Sequence, residues 1–302
     1  MTSRWLIAGC RGQLGHALGQ HLAADPGCRV LAAVDLPEFD VADPQTVERL
    51  FNGFGSEPPD VVVNAAAFTH VDRCEREPEA AHRGNALAPG LLAEACAKRG
   101  IRMAHVSTDY VFGGDSPTPY TEQDAPAPRT VYGRTKLEGE ERVRTASPDF
   151  LIVRTSWVFG RGRNFIAAIL AQAEDRRAGR VSAPMRVVDD QHGRPTYAYD
   201  LAGAILYLLE HGASGVYHVA NRGVASWWEV ARACLDEAGH EDLRIERIRT
   251  DELDCDAPRP ARSVLDCSKA EAFGVTLRSW REAVSAYLVS EDSPIARSAE
   301  CR

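Results

Sequence analysis

The first half of the chain alternates short, unbroken apolar runs with stretches of helical periodicity, and no other feature restricts the fold as much. The runs cover 5–8, 30–34, 61–63, 101–106 and 151–153, and the residues that follow them are Gly9, Asp35, Asn64, Ser107 and Arg154. A strand with one wet face alternates apolar and polar residues. A run without alternation reads as covered on both faces, as in a parallel sheet. Between the runs Leu14, Ala17, Leu18 and Leu22 recur at helical spacing, as do Leu87, Leu91, Leu92 and Ala95. This strand–helix repetition predicts an α/β fold with a doubly wound parallel sheet. Ligands of such sheets lie beyond the carboxyl ends of the strands, so the residues closing each run are the first functional candidates.

The second half is less regular. Helices are predicted over 164–177, 201–209, 228–237 and 280–287, with strands near 186–188 and 216–219 and a basic loop punctuated by Pro258 and Pro260. It reads as a smaller C-terminal lobe facing the strand ends. Net charge is -8 and no long basic run occurs, so a nucleic-acid partner is not expected. No apolar run is long enough to cross a bilayer, so no membrane partner is expected either. The first strand pattern begins too early to leave room for a secretory leader. The eight cysteines contain no C-x-x-C spacing and read as neither a zinc site nor a disulfide framework. A reducing, cytoplasmic location is the expectation, for a monomer or homodimer.

Gly9, Gly12 and Gly15 form G-C-R-G-Q-L-G between the first strand and the first helix. Glycines there let the backbone turn tightly and approach a pyrophosphate, which rests on exposed N–H groups at the helix N-terminus. Asp35 lies about 20 residues past Gly15, where an acid accepts from an adenosine ribose hydroxyl. Arg11 in the loop is placed to meet a 2′-phosphate, whereas Asp35 repels one, so NADPH or NADH remains open. The expected division is 1–160 plus about 196–221 for the dinucleotide, about 161–195 plus 222–290 for the substrate, and a frayed tail over 291–302.

Tyr132 and Lys136 stand four apart in Y-G-R-T-K, on one face of a helix. A phenol of ordinary pKa near 10 is a poor acid–base group at neutral pH, and a nearby ammonium lowers it. Thr108, just past a buried run, offers a hydroxyl to hold a carbonyl beside that phenol.

Together these features resemble the extended short-chain dehydrogenase/reductases, which have a Rossmann-type sheet. More narrowly, the chain resembles the dTDP-4-dehydrorhamnose reductase family. The blocks that carry the likeness are V-V-N-A-A-A-F-T-H-V-D (62–72), V-S-T-D-Y-V-F-G (106–113), V-Y-G-R-T-K-L-E-G-E (131–140), R-T-S-W-V-F-G (154–160), D-Q-H-G-R-P-T (190–196) and R-P-A-R-S-V-L-D (259–266). The resemblance implies reduction of the 4-keto group of a dTDP-6-deoxyhexulose, dTDP-4-dehydro-L-rhamnose to dTDP-L-rhamnose, with NADPH or NADH. It implies that Tyr132 donates the proton, that Lys136 holds the nicotinamide ribose and lowers the tyrosine pKa, and that Thr108 bonds the carbonyl. It further implies that Asp109 and Trp157 line the sugar site and that Arg259 and Arg262 meet the nucleotide diphosphate. Gly12, Gln13 and Leu14 are implied against the pyrophosphate, Asp35, Asp40 and Val41 around the adenosine, and Ala66, Ala67 and Phe68 along the cofactor wall.

The chain departs from many relatives at Phe68, where His or Tyr is frequent, and at Arg262, where Asn is. Ala17 replaces a carboxylate linked in some relatives to a magnesium-bridged dimer, so no metal is expected. Asp109 is followed by Tyr110, not by the glutamate of related dehydratases, and the S-T-D-Y block lacks the serine pair of epimerases. Alternatives are another dTDP-4-keto-6-deoxysugar reductase of antibiotic sugar synthesis, or a non-catalytic nucleotide-binding regulatory subunit.

Overall fold

Alternation of residues about the sheet plane organises the molecule, for which the computed structural model describes residues 2–147 and 149–295. In chain order the first half forms β1 (Ser3–Ala8), α1 (Gln13–Ala24), β2 (Cys28–Val34), α2 (Pro44–Asn52), β3 (Val61–Asn64), α3 (Val71–Arg76), α4 (Pro78–His82), α5 (Ala88–Ala97), β4 (Arg102–Thr108), α6 (Val131–Ala146) and β5 (Phe150–Thr155). The second half forms β6 (Val158–Phe159), α7 (Phe165–Arg177), β7 (Met185–Val188), β8 (His192–Gly193), β9 (Thr196–Tyr197), α8 (Ala198–Glu210), β10 (Gly215–His218), β11 (Ala225–Ser226), α9 (Trp227–Glu237), β12 (Ile245–Ile248), α10 (Ser268–Ala272) and α11 (Trp280–Leu288).

Six strands build one parallel sheet in the order β10-β5-β4-β3-β1-β2. Its two faces carry separate apolar layers. Trp5, Ile7, Val63, Leu151 and Val153 pack with α1 and α8, while Leu6, Ala8, Val62 and Ile152 pack with α2, α5 and Val143 of α6. A strand's side chains alternate between faces, so an unbroken apolar run feeds both layers. β2 differs from this expectation: Arg29 and Ala33 are exposed, because β2 is the sheet edge and has β1 alone beside it. Beyond the sheet, α7, α9 and α11 pack on each other, and α7 and α9 also pack on the β7–β12 pair.

The tail expected to fray is in part packed. Asp292 and Ser293 are buried, and Asp292 Oδ1 lies 3.3 Å from His16 Nε2 on α1, while 296–302 lie outside the described residues. The seven described cysteines are unpaired, and Cys301 is outside them. Among the described residues no helix is long and apolar enough to cross a membrane.

Candidate active site

The strand order reverses between β1 and β3: the chain moves from β1 to β2 on one side and later resumes at β3 on the other. The crevice at such a reversal is where open α/β sheets hold ligands. Gly9 closes β1 with φ +84°, and a Cβ on it would stand 2.5 Å from Ala66 N. No side chain fits there. Gly12 is the N-cap of α1 and bears no side-chain cap, and the first turn of α1 holds no acid. The helix therefore presents open amides, the arrangement that receives phosphate oxygens. Gly15 lines neither of the two hollows that meet at this loop. Its Cβ would stand 2.0 Å from Gly9 O, so its smallness lets α1 press against the loop.

Two hollows meet at this loop. One, about 620 Å³, is lined by Gly9, Arg11, Gly12, Asp35, Phe39, Asp40, Val41, Ala66, Ala67 and Phe68. The Asp35 carboxylate accepts from the backbone amides of Arg11 and Leu36, each at 2.8 Å. The cations of this hollow are matched: Arg11 with Glu38 at 2.9 Å, Arg83 with Asp40 at 2.7 Å, Arg73 with Glu77 at 2.8 Å. The other hollow, about 710 Å³, shares Arg11, Gly12 and Ala67 and adds Gln13, Leu14, Thr108, Asp109, Tyr132, Lys136 and Trp157. These sizes suit small-molecule ligands. The glycine cradle, the open amides and the paired hollows fit a dinucleotide lying across the loop.

α6 brings the acid–base groups in. The Thr130 hydroxyl caps its start by accepting from Gly133 N at 2.9 Å. A Cβ on Gly133 would stand 2.1 Å from Tyr110 O, so α6 sits close against the turn that follows β4. Tyr132 lies edge-on to Tyr110 with ring centroids 5.5 Å apart. Thr108 Oγ1 donates to Asp109 Oδ1 at 3.0 Å, and Ser263 Oγ donates to the other oxygen. Burial pushes the Asp109 carboxyl up to about 6, against the pull of the Ser263 and Thr108 hydrogen bonds.

Lys136 is 1% exposed. Its Nζ donates to Val106 O at 2.6 Å and lies 3.2 Å from His105 Nε2. Burial pushes its pKa down to about 8, with Glu140 opposing. Glu140 is itself fully buried and clasped by Arg154 through two hydrogen bonds of 2.8 and 2.7 Å. The expected lowering of the Tyr132 phenol by Lys136 is not what this site shows. Burial raises the phenol well above its ordinary value and the Asp109 charge raises it further, while the Thr108 hydroxyl pulls it down. The Lys136 head is turned toward Val106 and His105 instead.

Trp157 adopts φ 48°, the left-handed region that non-glycine residues avoid. It is held there by a face-to-face stack on Trp227 at 3.6 Å, by Thr196 N donating to Trp157 O at 3.1 Å, and by Gly193 beneath the indole. Such strain persists where surrounding structure imposes it, and it gathers at ligand sites.

Arg259 and Arg262 do not join this cavity. Arg259 pairs with Asp72 of α3 at 2.5 Å, and Arg262 is tied through its backbone N to Gly114 O at 2.8 Å. From that loop it is Ser263 that reaches the site. The cations at the second hollow are Arg11, Lys136, Arg161 and Arg163, and its aromatic wall includes Trp227. Sequence reading missed the last three. Their signals were the R-G-R after Gly160 and the Trp227–Trp228 doublet. Arg163 O accepts from Gln13 Nε2 at 3.3 Å, which sets the R-G-R turn over the start of α1.

Comparison with known proteins agrees with this geometry. The RmlD substrate binding domain family matches residues 3–292. The spore coat polysaccharide biosynthesis protein SpsK of Bacillus subtilis is 41% identical over 289 residues, covering 95% of this chain and 98% of SpsK. A dTDP-4-dehydrorhamnose reductase of Mycolicibacterium smegmatis is 42% identical over 290 residues, covering 94% of this chain and 84% of that protein. The crystal structure of the dTDP-4-dehydrorhamnose reductase of Bacillus anthracis in complex with NADP superposes with a TM-score of 0.88 at 31% identity, over 96% of this chain and 99% of that one. A match this long, on a chain whose glycine loop, threonine, tyrosine and lysine share one crevice, places the protein in the RmlD substrate binding domain family.

Proposed function

We propose that this protein is an NAD(P)H-dependent oxidoreductase that reduces the 4-keto group of a dTDP-6-deoxyhexulose, converting dTDP-4-dehydro-L-rhamnose to dTDP-L-rhamnose in the cytoplasm as a monomer or homodimer. The observation that carries this reading is the convergence of Thr108, Tyr132 and Lys136 on a hollow continuous with the glycine loop. Residues 1–160 with about 196–221 hold the dinucleotide, and the remainder up to 290 holds the sugar nucleotide.

Bound NAD(P)H supplies the hydride, which goes to the carbonyl carbon. Tyr132 gives its phenolic proton to the carbonyl oxygen as negative charge develops there. The phenol is protonated at neutral pH even at its ordinary value, the state a donor needs, and burial favours that neutral form further. The Thr108 hydroxyl, which donates to Asp109 Oδ1 in this structure, would turn its hydrogen to the same carbonyl oxygen when substrate binds. Lys136 would hold the ribose of a bound dinucleotide through the remaining direction at its Nζ, and Gly12, Gln13 and Leu14 would lie against the pyrophosphate. Asp109 and Trp157 bound the sugar. The fold is shared by many activities, but the acid–base set is intact, which favours a reductase over a non-catalytic subunit.

The test is to mix purified protein with a panel of dTDP-4-keto sugars and NADH or NADPH, following loss of reduced-nicotinamide absorbance and product stereochemistry by NMR. Tyr132→Phe should bind cofactor normally and lose about 10²–10⁴-fold in turnover. Absence of turnover across the panel, or undiminished turnover in Tyr132→Phe where chemistry limits, overturns the assignment.

A further inference from the structure

On the face of the sheet covered by α6 the strand ends carry a set of buried polar residues, among them Ser107, Arg154 and His218, and two of the set, Asn64 and His105, stand side by side. Asn64 closes β3 and His105 stands opposite it on β4, partners in the parallel register. Both are fully buried. Burying unsatisfied polar groups is costly, so where they occur they are bonded. Here the bonds form one line. The Ala66 amide donates to Asn64 Oδ1 at 3.1 Å, Asn64 Nδ2 lies 3.1 Å from His105 Nδ1, and His105 Nε2 lies 3.2 Å from Lys136 Nζ. Asn64 Nδ2 donates to Nδ1, so the neutral ring carries its hydrogen on Nε2 and gives it to the lone pair of Lys136 in its uncharged amine form, because an ammonium cannot accept. The line runs from the wall of the first hollow, which Ala66 lines, to the lysine of the second.

A lysine stem is flexible and its head rotates freely. What holds this head is Val106 O on one side and His105 Nε2 on another. Tetrahedral geometry then leaves one direction open at Nζ. We propose that His105, oriented by Asn64, is a positioning residue that aims Lys136 at the dinucleotide ribose, and that this brace ties the cofactor wall to the catalytic lysine. The inference rests on the assignment of Lys136 to the cofactor ribose.

A purely structural pair would satisfy its own hydrogen bonds and influence stability alone. The two roles separate in a double-variant cycle. His105→Phe should lower kcat about ten- to a hundredfold, the cost of misplacing a reacting group by about 1 Å. It should weaken NADH binding, measured by fluorescence titration, and leave the KM of the sugar nucleotide within about twofold. His105→Gln, which keeps a polar end, should recover part of both losses. In a Lys136→Met background His105→Phe should change neither kcat nor NADH affinity further. Melting curves establish that each variant is folded. If the phenylalanine variant does not fold, His105→Gln in both backgrounds gives the same comparison. A kcat within about twofold of the parent, or losses that multiply in the double variant, overturns the proposal. Retained turnover in Tyr132→Phe and Lys136→Met would instead overturn the reductase reading itself, so the two failures are distinct.

Discussion

Replacing Lys136 by methionine removes a charge from a site where almost none of the side chain reaches water. In the folded protein Lys136 gives up its proton at about 8, against 10.5 for an ordinary lysine. At about 1.4 kcal/mol per pH unit, that fall amounts to about 3 kcal/mol. Below pH 8 the lysine is charged in both states and the folded protein bears this cost in full. Between about 8 and 10.5 the unfolded chain binds more protons, so wild-type stability rises with pH, and above that window the cost is gone. Methionine carries no such cost, but it leaves Val106 O and His105 Nε2 without their partner, at about 1–3 kcal/mol. Lys136→Met should therefore match or exceed wild-type stability at pH 7 and fall below it at pH 10, while losing turnover. Urea unfolding of both proteins at several pH values measures the difference. A difference that stays constant with pH, or moves in favour of methionine as pH rises, would refute the reasoning.

Asp35→Ala should raise the ratio of NADPH to NADH affinity by about tenfold, since the carboxylate at the end of β2 serves a free ribose hydroxyl and repels a phosphate; fluorescence titration with both cofactors reads it, and an unchanged ratio counts against the placement. Glu140→Gln leaves the buried Arg154 guanidinium without its counter-charge, and the loss in urea unfolding should be about 3–5 kcal/mol. A loss under about 1 kcal/mol would show that water or another group compensates. Gly193→Ala puts a Cβ 2.4 Å from Trp157 Cε2, so the indole must shift; the KM of the sugar nucleotide should rise while NADH affinity holds, and an unmoved KM would remove Trp157 from the sugar site.

Features governed by short-range geometry were legible in the residue order. Alternation about the strand explains why the runs at 5–8 and 151–153 feed two cores, and helical spacing alone puts Tyr132 and Lys136 on one face. The glycine loop was readable because its close approaches, Gly9 to Ala66 and Gly15 to Gly9, exclude any side chain. Some local signal was overlooked: Asp43 caps Pro44–Asn52 by accepting from Gln45 N and Thr46 N, yet no helix was read there. What the residue order left undetermined depends on partners distant in sequence. Arg259 turns to Asp72, 187 positions away, so the basic loop sends Ser263 and not its arginines to the site. Trp157 is strained because Trp227 and Gly193 hold it. The raised pKa of Tyr132 and the company of Lys136 follow from burial and from the pairing of Asn64 with His105. Spacing within a segment is set by the chain itself, but which surfaces meet, and how far each charge lies from water, is decided only when the sheet register and the lobe packing are formed.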